Sequence, residues 1–330
     1  MIKIKLTAKG KKGVDFNADV DSYFSDFTPS GWPYFLGGDS TYDGSQILFL
    51  DDIAGKPSKT KALVLDGKDF FYYFTDHTLS GTLKSVSLST LGRSYDSKSK
   101  SFSTNKKGEI TKTTTKVEIS GLDISNAKGV AGELHDVVYA LMGGPHDSGG
   151  TSDPSLLLDV INGQGHKVKG SKGGDTYVGT AFNDKIKGKD GNDKLDGAGG
   201  NDNVNGGAGN DTLRGGLGAD VLKGARGKDA FVFDTALSAG NVDTIKDFKA
   251  KDDTIWLSQT IFSDLDKGGL AKSAFVVGTS AKDASDRIIY DDKSGALSYD
   301  ADGNQSAFAA VQFAKVGKKI DIDADDFLVI

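Results

Sequence analysis

The chain lacks cysteine and has only four histidines among its 330 residues, and these shortages exclude several kinds of site. Without cysteine there is no disulfide bond and no thiolate metal centre. The sequence also contains neither the His-Glu-x-x-His pattern of zinc proteases nor the Gly-x-Ser-x-Gly turn of hydrolases. Because the scattered histidines leave little for acid–base chemistry, we expect the protein not to be an enzyme.

Excess positive charge and long apolar runs are missing as well. The net charge is −6, which argues against a nucleic-acid partner. No apolar run approaches the roughly 20 residues of a membrane span. The segment from Met1 to Leu6 alternates like a strand and has no apolar core of the kind that a cleaved signal peptide needs. Export would therefore depend on another signal.

Glycine, in contrast, is abundant, and between residues 163 and 231 it takes part in a repeat of nine residues. Each repeat places an aspartate two residues before an apolar side chain. Glycine lets the backbone bend so that carbonyl oxygens point inward, and aspartate adds the hard anionic oxygen that Ca²⁺ prefers. The repeated aspartates are Asp175, Asp184, Asp193, Asp202, Asp211, Asp220 and Asp229, and the candidate glycine ligands, two residues before an aspartate, are Gly191, Gly200, Gly209, Gly218 and Gly227.

This period predicts a parallel β-roll in which two repeats make one turn, so that aspartates eighteen residues apart stack. A flexible linker is the alternative, but a linker would not keep an apolar residue in phase through every repeat. Two repeats depart from the pattern. Phe182 replaces the glycine before Asp184, and His166 stands where an aspartate is expected, so calcium occupancy at the start of the roll is open.

The repeat resembles the RTX family of secreted proteins, with Gly206 to Asp211 the best copy. The segments Val242–Phe248 and Asp253–Leu257 are similar to strands that close such rolls. Further towards the C-terminus, Asp300 and Asp302 would hold a further calcium ion or form an ordinary acidic turn. The acidic and apolar residues 321–330 resemble the uncleaved C-terminal signal of proteins exported by type I secretion, and a buried terminal strand is compatible with that role. The resemblance implies a secreted, extracellular or cell-surface protein with a type I exporter as partner.

The first half of the chain resembles the secreted haemophore (HasA-type) family, on the segments Gly44–Gln46, His77–Leu79 and His135–Met142. The resemblance implies a curved antiparallel sheet with helices, and a haem held by a tyrosinate that a histidine supports. His77 matches the supporting histidine, and the tyrosine is either Tyr72 or Tyr73. No histidine precedes His77, so a second loop ligand is absent. His135 is interpreted as structural because its helix is otherwise apolar.

The residues alone predict strands at 62–65, 70–74 and 82–88 and a helix from Val130 to Met142. We expect an α+β domain over residues 1–160, an all-β parallel roll over 161–233 and a C-terminal β cap over 234–330. Two functions stay open. One is a secreted calcium-binding protein that captures haem and meets a haem receptor. The other is a non-enzymatic surface-layer, filament or adhesion protein that self-associates through the haemophore-like domain.

Overall fold

The computed structural model describes residues 1–8, 10–25, 27–41, 43–51, 59–73, 77–96, 99, 101–127, 132–142, 152–305 and 307–330. The chain forms two compact units. The first consists of Met1–Thr7 and Phe16–Gln164, and the second of Ala8–Asp15 and Gly165–Ile330. Both units are mostly β, as the sequence predicts. Among the described residues no helix is both long and apolar enough to cross a bilayer.

The first unit is built on an antiparallel sheet. Its inner strands bury apolar side chains on the face that the helices cover, so the alternation of the sequence sets which face is the core. A small hairpin joins Tyr95–Asp96 to Ser101–Phe102. The strands of the main sheet, in the order in which they are hydrogen-bonded, are Ile2–Leu6, Thr114–Asn126, Thr78–Thr90, Lys61–Tyr73, Asp43–Leu50 and Tyr34–Leu36.

One strand of this sheet differs from the prediction. The separate strands predicted at 62–65 and 70–74 are a single strand, Lys61–Tyr73, and Phe74 lies outside the described residues. The polar residues between them do not form a turn. They form bulges, with register shifts between Asp66 and Gly67 and between Lys68 and Phe71, so pairing with Thr78–Thr90 continues past them.

In the described part of this unit, three helices accompany the sheet. They are α1 (Phe16–Ser25), α2 (Glu133–Leu141) and α3 (Ser155–Asn162). The predicted start of α2 near Val130 lies outside the described residues. Helix α2 packs on the strands Thr78–Thr90 and Thr114–Asn126, and it contributes the buried side chains Leu134, Val137, Val138 and Leu141 at helical spacing.

The second unit begins with a run of short parallel strands. Within the nonapeptide repeat each strand pairs with the strand eighteen residues further along: Lys185 pairs with Asn203, and Lys194 with Thr212. Two parallel sheets result. One contains His166–Lys169, Lys185–Asp190, Asn203–Ala208, Val221–Arg226 and Asp243–Ile245, and the other contains Lys12–Asp15, Gly174–Val178, Lys194–Asp196, Thr212–Arg214, Ala230–Phe233 and Thr254–Leu257.

The apolar residue of each repeat points between these sheets, where it is almost fully buried. The interior column consists of Tyr177, Ile186, Leu195, Val204, Leu213, Leu222 and Phe231. Stacking identical positions in this way buries each side chain against the ones above and below it.

Beyond Phe233 the repeat ends but the parallel pairing continues. Val311–Lys315 pairs with Asp243–Ile245, and Phe327–Val329 pairs with Thr254–Leu257. The segment near the C-terminus is therefore a buried strand of the second unit. The remaining elements are the strands Gly268–Gly269, Phe275–Val277, Ile288–Asp291 and Ala296–Tyr299 and the 3₁₀ turns Lys272–Ala274 and Ala324–Asp326.

Candidate calcium ladder and aromatic cavity

The repeat aspartates link successive turns through hydrogen bonds. The backbone N–H of Asp193 donates to Oδ1 of Asp211 at 2.8 Å, and that of Asp202 donates to Oδ1 of Asp220 at 2.7 Å. The same bond joins Asp175 to Asp193, Asp184 to Asp202 and Asp211 to Asp229. The predicted stacking of aspartates eighteen residues apart is confirmed. One oxygen of each receiving carboxylate is thus occupied by the protein itself.

In the five later repeats the other carboxylate oxygen has no hydrogen-bond donor among the residues that the structure describes. A buried carboxylate oxygen is costly unless a donor or a cation meets it. A glycine five residues before each aspartate leaves this oxygen room, since a Cβ at that glycine would collide with the carboxylate. The unpartnered atoms are Oδ2 of Asp193, Asp202, Asp211, Asp220 and Asp229, and the glycines in front of them are Gly188, Gly197, Gly206, Gly215 and Gly224.

These surroundings fit a calcium ion. Oδ2 of Asp193 and the carbonyl oxygen of Gly206 both lie against Gly188, so a carboxylate and a carbonyl face the same small space. In the part of the chain that the structure describes, no group of three or more His, Cys, Asp or Glu side chains is placed so that it could hold a metal ion by itself. Backbone carbonyls would therefore have to complete the shell of oxygen ligands that Ca²⁺ requires.

The glycines predicted as ligands provide the bends. A Cβ at Gly209 would collide with the carbonyl of Gly191 in the preceding turn, so the turns approach too closely for a side chain. All five have positive φ: Gly191, Gly200, Gly209, Gly218 and Gly227.

Burial raises the pKa of the ladder carboxyl groups. The pKa is raised to about 7 for Asp193, about 8 for Asp202 and about 7 for Asp211, in each case mainly because the group is desolvated. Neighbouring aspartates raise these pKa values further, while the N–H bond to Oδ1 lowers them. A buried carboxyl group of this kind takes up either a proton or a cation.

The ladder extends past the nonapeptide repeat. The N–H of Asp220 donates to Oδ1 of Asp243 at 3.1 Å, and that of Asp229 donates to Oδ1 of Asp253 at 3.0 Å. Oδ2 of Asp220 and Oδ2 of Asp243 both lie against Gly215. The repeat period did not reveal Asp243 as a candidate ligand, because Asp243 is 23 residues from its partner instead of eighteen. The apolar residue two positions later, Ile245, was the available signal.

The candidate pair in the C-terminal region is also brought together. The N–H of Asp302 donates to Oδ1 of Asp300 at 3.3 Å, and Oδ1 of Asp302 is buried without a partner among the described residues. Desolvation raises the pKa of Asp300. Oδ2 of Asp302 accepts the N–H of Ala307 at 2.9 Å, as in an acidic turn. The geometry has features of both predicted alternatives.

In the first unit two of the three predicted haem residues, Tyr72 and His77, lie at an apolar cavity of about 210 Å³. The Tyr72 hydroxyl is hydrogen-bonded to Nδ1 of His77 at 2.9 Å. His77 has φ 54°, a left-handed conformation uncommon for residues other than glycine, which brings its ring to Tyr72. The other lining residues are Trp32, Pro33, Phe35, Leu79, His135, Val138, Tyr139 and Met142.

Strand alternation separates the two candidate tyrosines. Tyr72 lines this cavity, whereas Tyr73 packs on Phe71 at 4.6 Å and lines a different, polar cavity. His135, which the sequence suggested to be structural, is half-buried at the wall of the first cavity and stacks on Tyr139 at 5.4 Å. Its position one helical turn before Tyr139 was the signal that could have placed it there.

Comparisons with known proteins match two family models to this chain. A family model described as Heme-binding protein A (HasA) matches residues 16–183, more than half of the chain, and the chain belongs to this family. A second, the RTX calcium-binding nonapeptide repeat (4 copies), matches residues 169–204 and 196–231. The chain thus combines calcium-binding repeats with a haem-binding family domain, which confirms the predicted resemblances and the predicted cofactors Ca²⁺ and haem at the level of these families. Both families are typical of secreted proteins.

Several solved structures are similar to parts of the chain. The holo hemophore HasA from Yersinia pestis is 16% identical, with 49% of this chain and 89% of that chain covered and a TM-score of 0.35. A HasA mutant from Yersinia pseudotuberculosis is 14% identical over 49% and 89% of the two chains, with a TM-score of 0.36. A subunit of the mannuronan C5-epimerase from Azotobacter vinelandii is 25% identical over 47% and 77%, with a TM-score of 0.18. No curated protein matches the chain.

Proposed function

We propose that this chain is a secreted, non-enzymatic protein that captures haem with its first unit and folds its repeat segment when calcium binds. The observation that carries the haem proposal is the hydrogen bond of 2.9 Å between the Tyr72 hydroxyl and His77 at an apolar cavity. Membership of the HasA family supports it.

Tyr72 and His77 have different roles in haem binding. Haem, when bound, supplies a ferric ion that a phenolate oxygen can ligate. His77 Nδ1 accepts the proton or hydrogen bond of the Tyr72 hydroxyl, which makes the oxygen a better donor. Pro33, Leu79 and Val138 offer an apolar wall that excludes water. The cavity is smaller than the roughly 300 to 1,000 Å³ of typical ligand sites. Trp32, which packs edge-on against Tyr72 at 5.6 Å, would have to move when a ligand enters.

Calcium would couple export to folding. We interpret the ladder as an RTX β-roll, the segment after it as its cap, and the C-terminal residues as a type I secretion signal. In the low calcium of a cytosol the ladder carboxylates repel one another and the turns that bind calcium stay unfolded, as an exporter requires. Outside the cell calcium neutralises them, and its binding energy becomes folding energy. The unpartnered Oδ2 atoms support this proposal.

Haem titration tests the capture proposal, with Tyr73→Phe as the matched control for Tyr72→Phe. We expect a Soret band in the wild type and in Tyr73→Phe, because Tyr73 does not line the cavity with His77. The band should be lost or strongly shifted in Tyr72→Phe. His77→Ala should weaken affinity roughly 10- to 100-fold, the usual loss when a supporting partner of a ligand is removed.

A Tyr72→Phe protein that titrates like the wild type would refute Tyr72 as the ligand, provided that far-UV circular dichroism shows both to be folded. Absence of a Soret band in the wild type, together with calcium-dependent growth in particle size, would instead support the alternative of a self-assembling surface protein. Light scattering with and without EGTA provides that second measurement.

A further inference from the structure

The first two aspartates of the ladder differ from the later five, because protein donors meet both of their oxygens. Oδ1 of Asp175 accepts the backbone N–H of Val14 at 2.6 Å and the hydroxyl of Ser171 at 2.9 Å. Oδ2 of Asp175 accepts the backbone N–H of Ser171 at 2.6 Å. This carboxylate therefore needs no cation to compensate its burial.

Asp184 repeats the arrangement one unit later. Its Oδ1 accepts the backbone N–H of His166 at 2.5 Å, and its Oδ2 accepts the backbone N–H of Thr180 at 2.7 Å. The Thr180 hydroxyl lies 3.2 Å from Oδ1 and 3.3 Å from Oδ2. Neither Asp175 nor Asp184 has a buried oxygen without a partner, whereas Oδ2 is unpartnered in every later repeat.

The residue four positions before each aspartate explains the difference. In the later repeats this residue has positive φ, as at Gly207 (122°). Ser171 and Thr180 do not have positive φ, and their N–H groups point at the carboxylate. A β-branched residue such as Thr180 strongly disfavours the left-handed conformation, so the sequence itself selects the bonded form. The corresponding residues of the other later repeats are Lys189 (91°), Ala198 (72°), Gly216 (100°) and Ala225 (75°).

Two further contacts occupy polar groups of the first turn. The ammonium of Lys189 donates to the carbonyl oxygen of Gly170, so a side-chain cation already meets a carbonyl of this turn. His166, which replaces an aspartate, is buried with its Nδ1 bonded to the Tyr177 hydroxyl at 2.5 Å. A hydrogen-bonded pair of aromatic side chains thus stands at the beginning of the interior column, where the repeat pattern would place an aspartate.

We propose that the first turn of the ladder, residues 166–184, is metal-free, with Ser171 and Thr180 taking the place of calcium at Asp175 and Asp184. Calcium binding is then confined to the turns from Asp193 onward. The inference rests on the calcium-dependent folding proposed above. The first turn keeps its hydrogen bonds without calcium. Its folded strands therefore provide an edge on which the calcium-binding turns stack.

The same hydrogen bond, from the N–H four residues before the aspartate, occurs at the end of the ladder. Oδ2 of Asp253 accepts the N–H of Lys249, again four residues earlier, at 2.9 Å, while Oδ1 receives the N–H of Asp229. Before and after the calcium-binding turns there are therefore carboxylates whose two oxygens both accept hydrogen bonds from the protein.

Calcium stoichiometry in aspartate-to-asparagine variants of the full chain tests the proposal. Asp175→Asn and Asp184→Asn are compared with the same change in two later repeats, Asp202→Asn and Asp211→Asn, where Oδ2 is unpartnered. Equilibrium dialysis with calcium alone should give the wild-type number of ions for the first pair. It should give a loss of about one ion or more per chain for the second pair. Equal loss or equal retention in the two pairs would overturn the proposal.

Amide hydrogen exchange on the wild-type chain in EGTA gives a second, independent measurement. The amides of Ser171 and Thr180 should exchange as slowly in EGTA as in calcium, while those between residues 193 and 229 lose protection. Fast exchange at Ser171 and Thr180 in EGTA would refute a metal-free turn. A wild-type chain that binds no calcium would contradict the calcium-dependent folding, and the exchange result would still decide this inference.

Discussion

Replacing Gly206 by alanine should weaken calcium binding to the ladder. A Cβ at Gly206 would collide with Oδ2 of Asp211 and lie 2.7 Å from its Cγ. Gly206 does not have positive φ, so an alanine is not strained by its backbone and the clash with the carboxylate is the main effect. Gly269→Ala is the matched control, since it adds the same methyl to the same unit with no atom within 4 Å and also without positive φ.

The size of the effect follows from the packing. Overpacking a buried site costs about 1–3 kcal/mol. If the five unpartnered carboxylates mark five ions that bind in one concerted step, this cost is shared among the five. The binding free energy per ion then falls by about 0.2–0.6 kcal/mol, which raises the calcium midpoint roughly 1.4- to 3-fold. If the methyl abolishes one site altogether, a further loss of about 2.7 kcal/mol applies at a calcium concentration of 100 times Kd.

Calcium titration followed by far-UV circular dichroism measures the midpoint, and a thermal melt in saturating calcium measures the stability. In EGTA the wild type, Gly206→Ala and Gly269→Ala should give the same spectrum, because the affected turns are then unfolded in all three. A calcium midpoint for Gly206→Ala equal to that of Gly269→Ala would show that the space in front of Asp211 is not a cation site.

Two further predictions concern charge in the ladder. For calcium-stripped protein the pKa values of Asp193 and Asp202, raised by burial to about 7 and about 8, exceed the roughly 3.9 of an unfolded chain. The folded ladder then binds more protons than the unfolded one, so its stability is fully present below about pH 4 and is lost as the pH rises through 7 to 8. Circular dichroism in EGTA should show more ladder structure at pH 5 than at pH 9, and the opposite order would contradict the burial argument. Asp243→Asn should lower the number of bound calcium ions as Asp211→Asn does, because Oδ2 of Asp243 lies against Gly215 together with the unpartnered Oδ2 of Asp220. The exposed Asp266→Asn is the control, and equal calcium binding by both variants would exclude Asp243 as a ligand.

The ladder could be predicted from the sequence because its geometry is local and periodic. Once two repeats make one turn, the position of every aspartate and every interior side chain follows from counting. The stacking of Asp193 on Asp211 and the burial of Leu195 and Leu213 were therefore accessible without a structure. The period fails where the spacing changes, and Asp243 was missed for that reason.

What each ladder carboxylate does could not be predicted, because it depends on backbone conformation outside the Gly-x-Asp pattern. The predicted glycine ligands lie two residues before the aspartate. The deciding residue lies four before it, where a positive φ leaves Oδ2 unpartnered, and where Ser171 and Thr180 supply a donor instead. The glycine five before each aspartate, present in all repeats from Gly170 to Gly224, was a further unused signal.

The choice between Tyr72 and Tyr73 depends on register over a longer range. Adjacent strand residues point to opposite faces, so a shift of one residue exchanges the two tyrosines. The bulges at Asp66 and Lys68 precede both tyrosines and set which of them faces the cavity at helix α2. The local sequence does not show how many bulges the strand contains. The haem proposal and the fold of this strand therefore depend on the same observation. A Soret band that survived Tyr72→Phe but vanished in Tyr73→Phe would show that the strand has the opposite register.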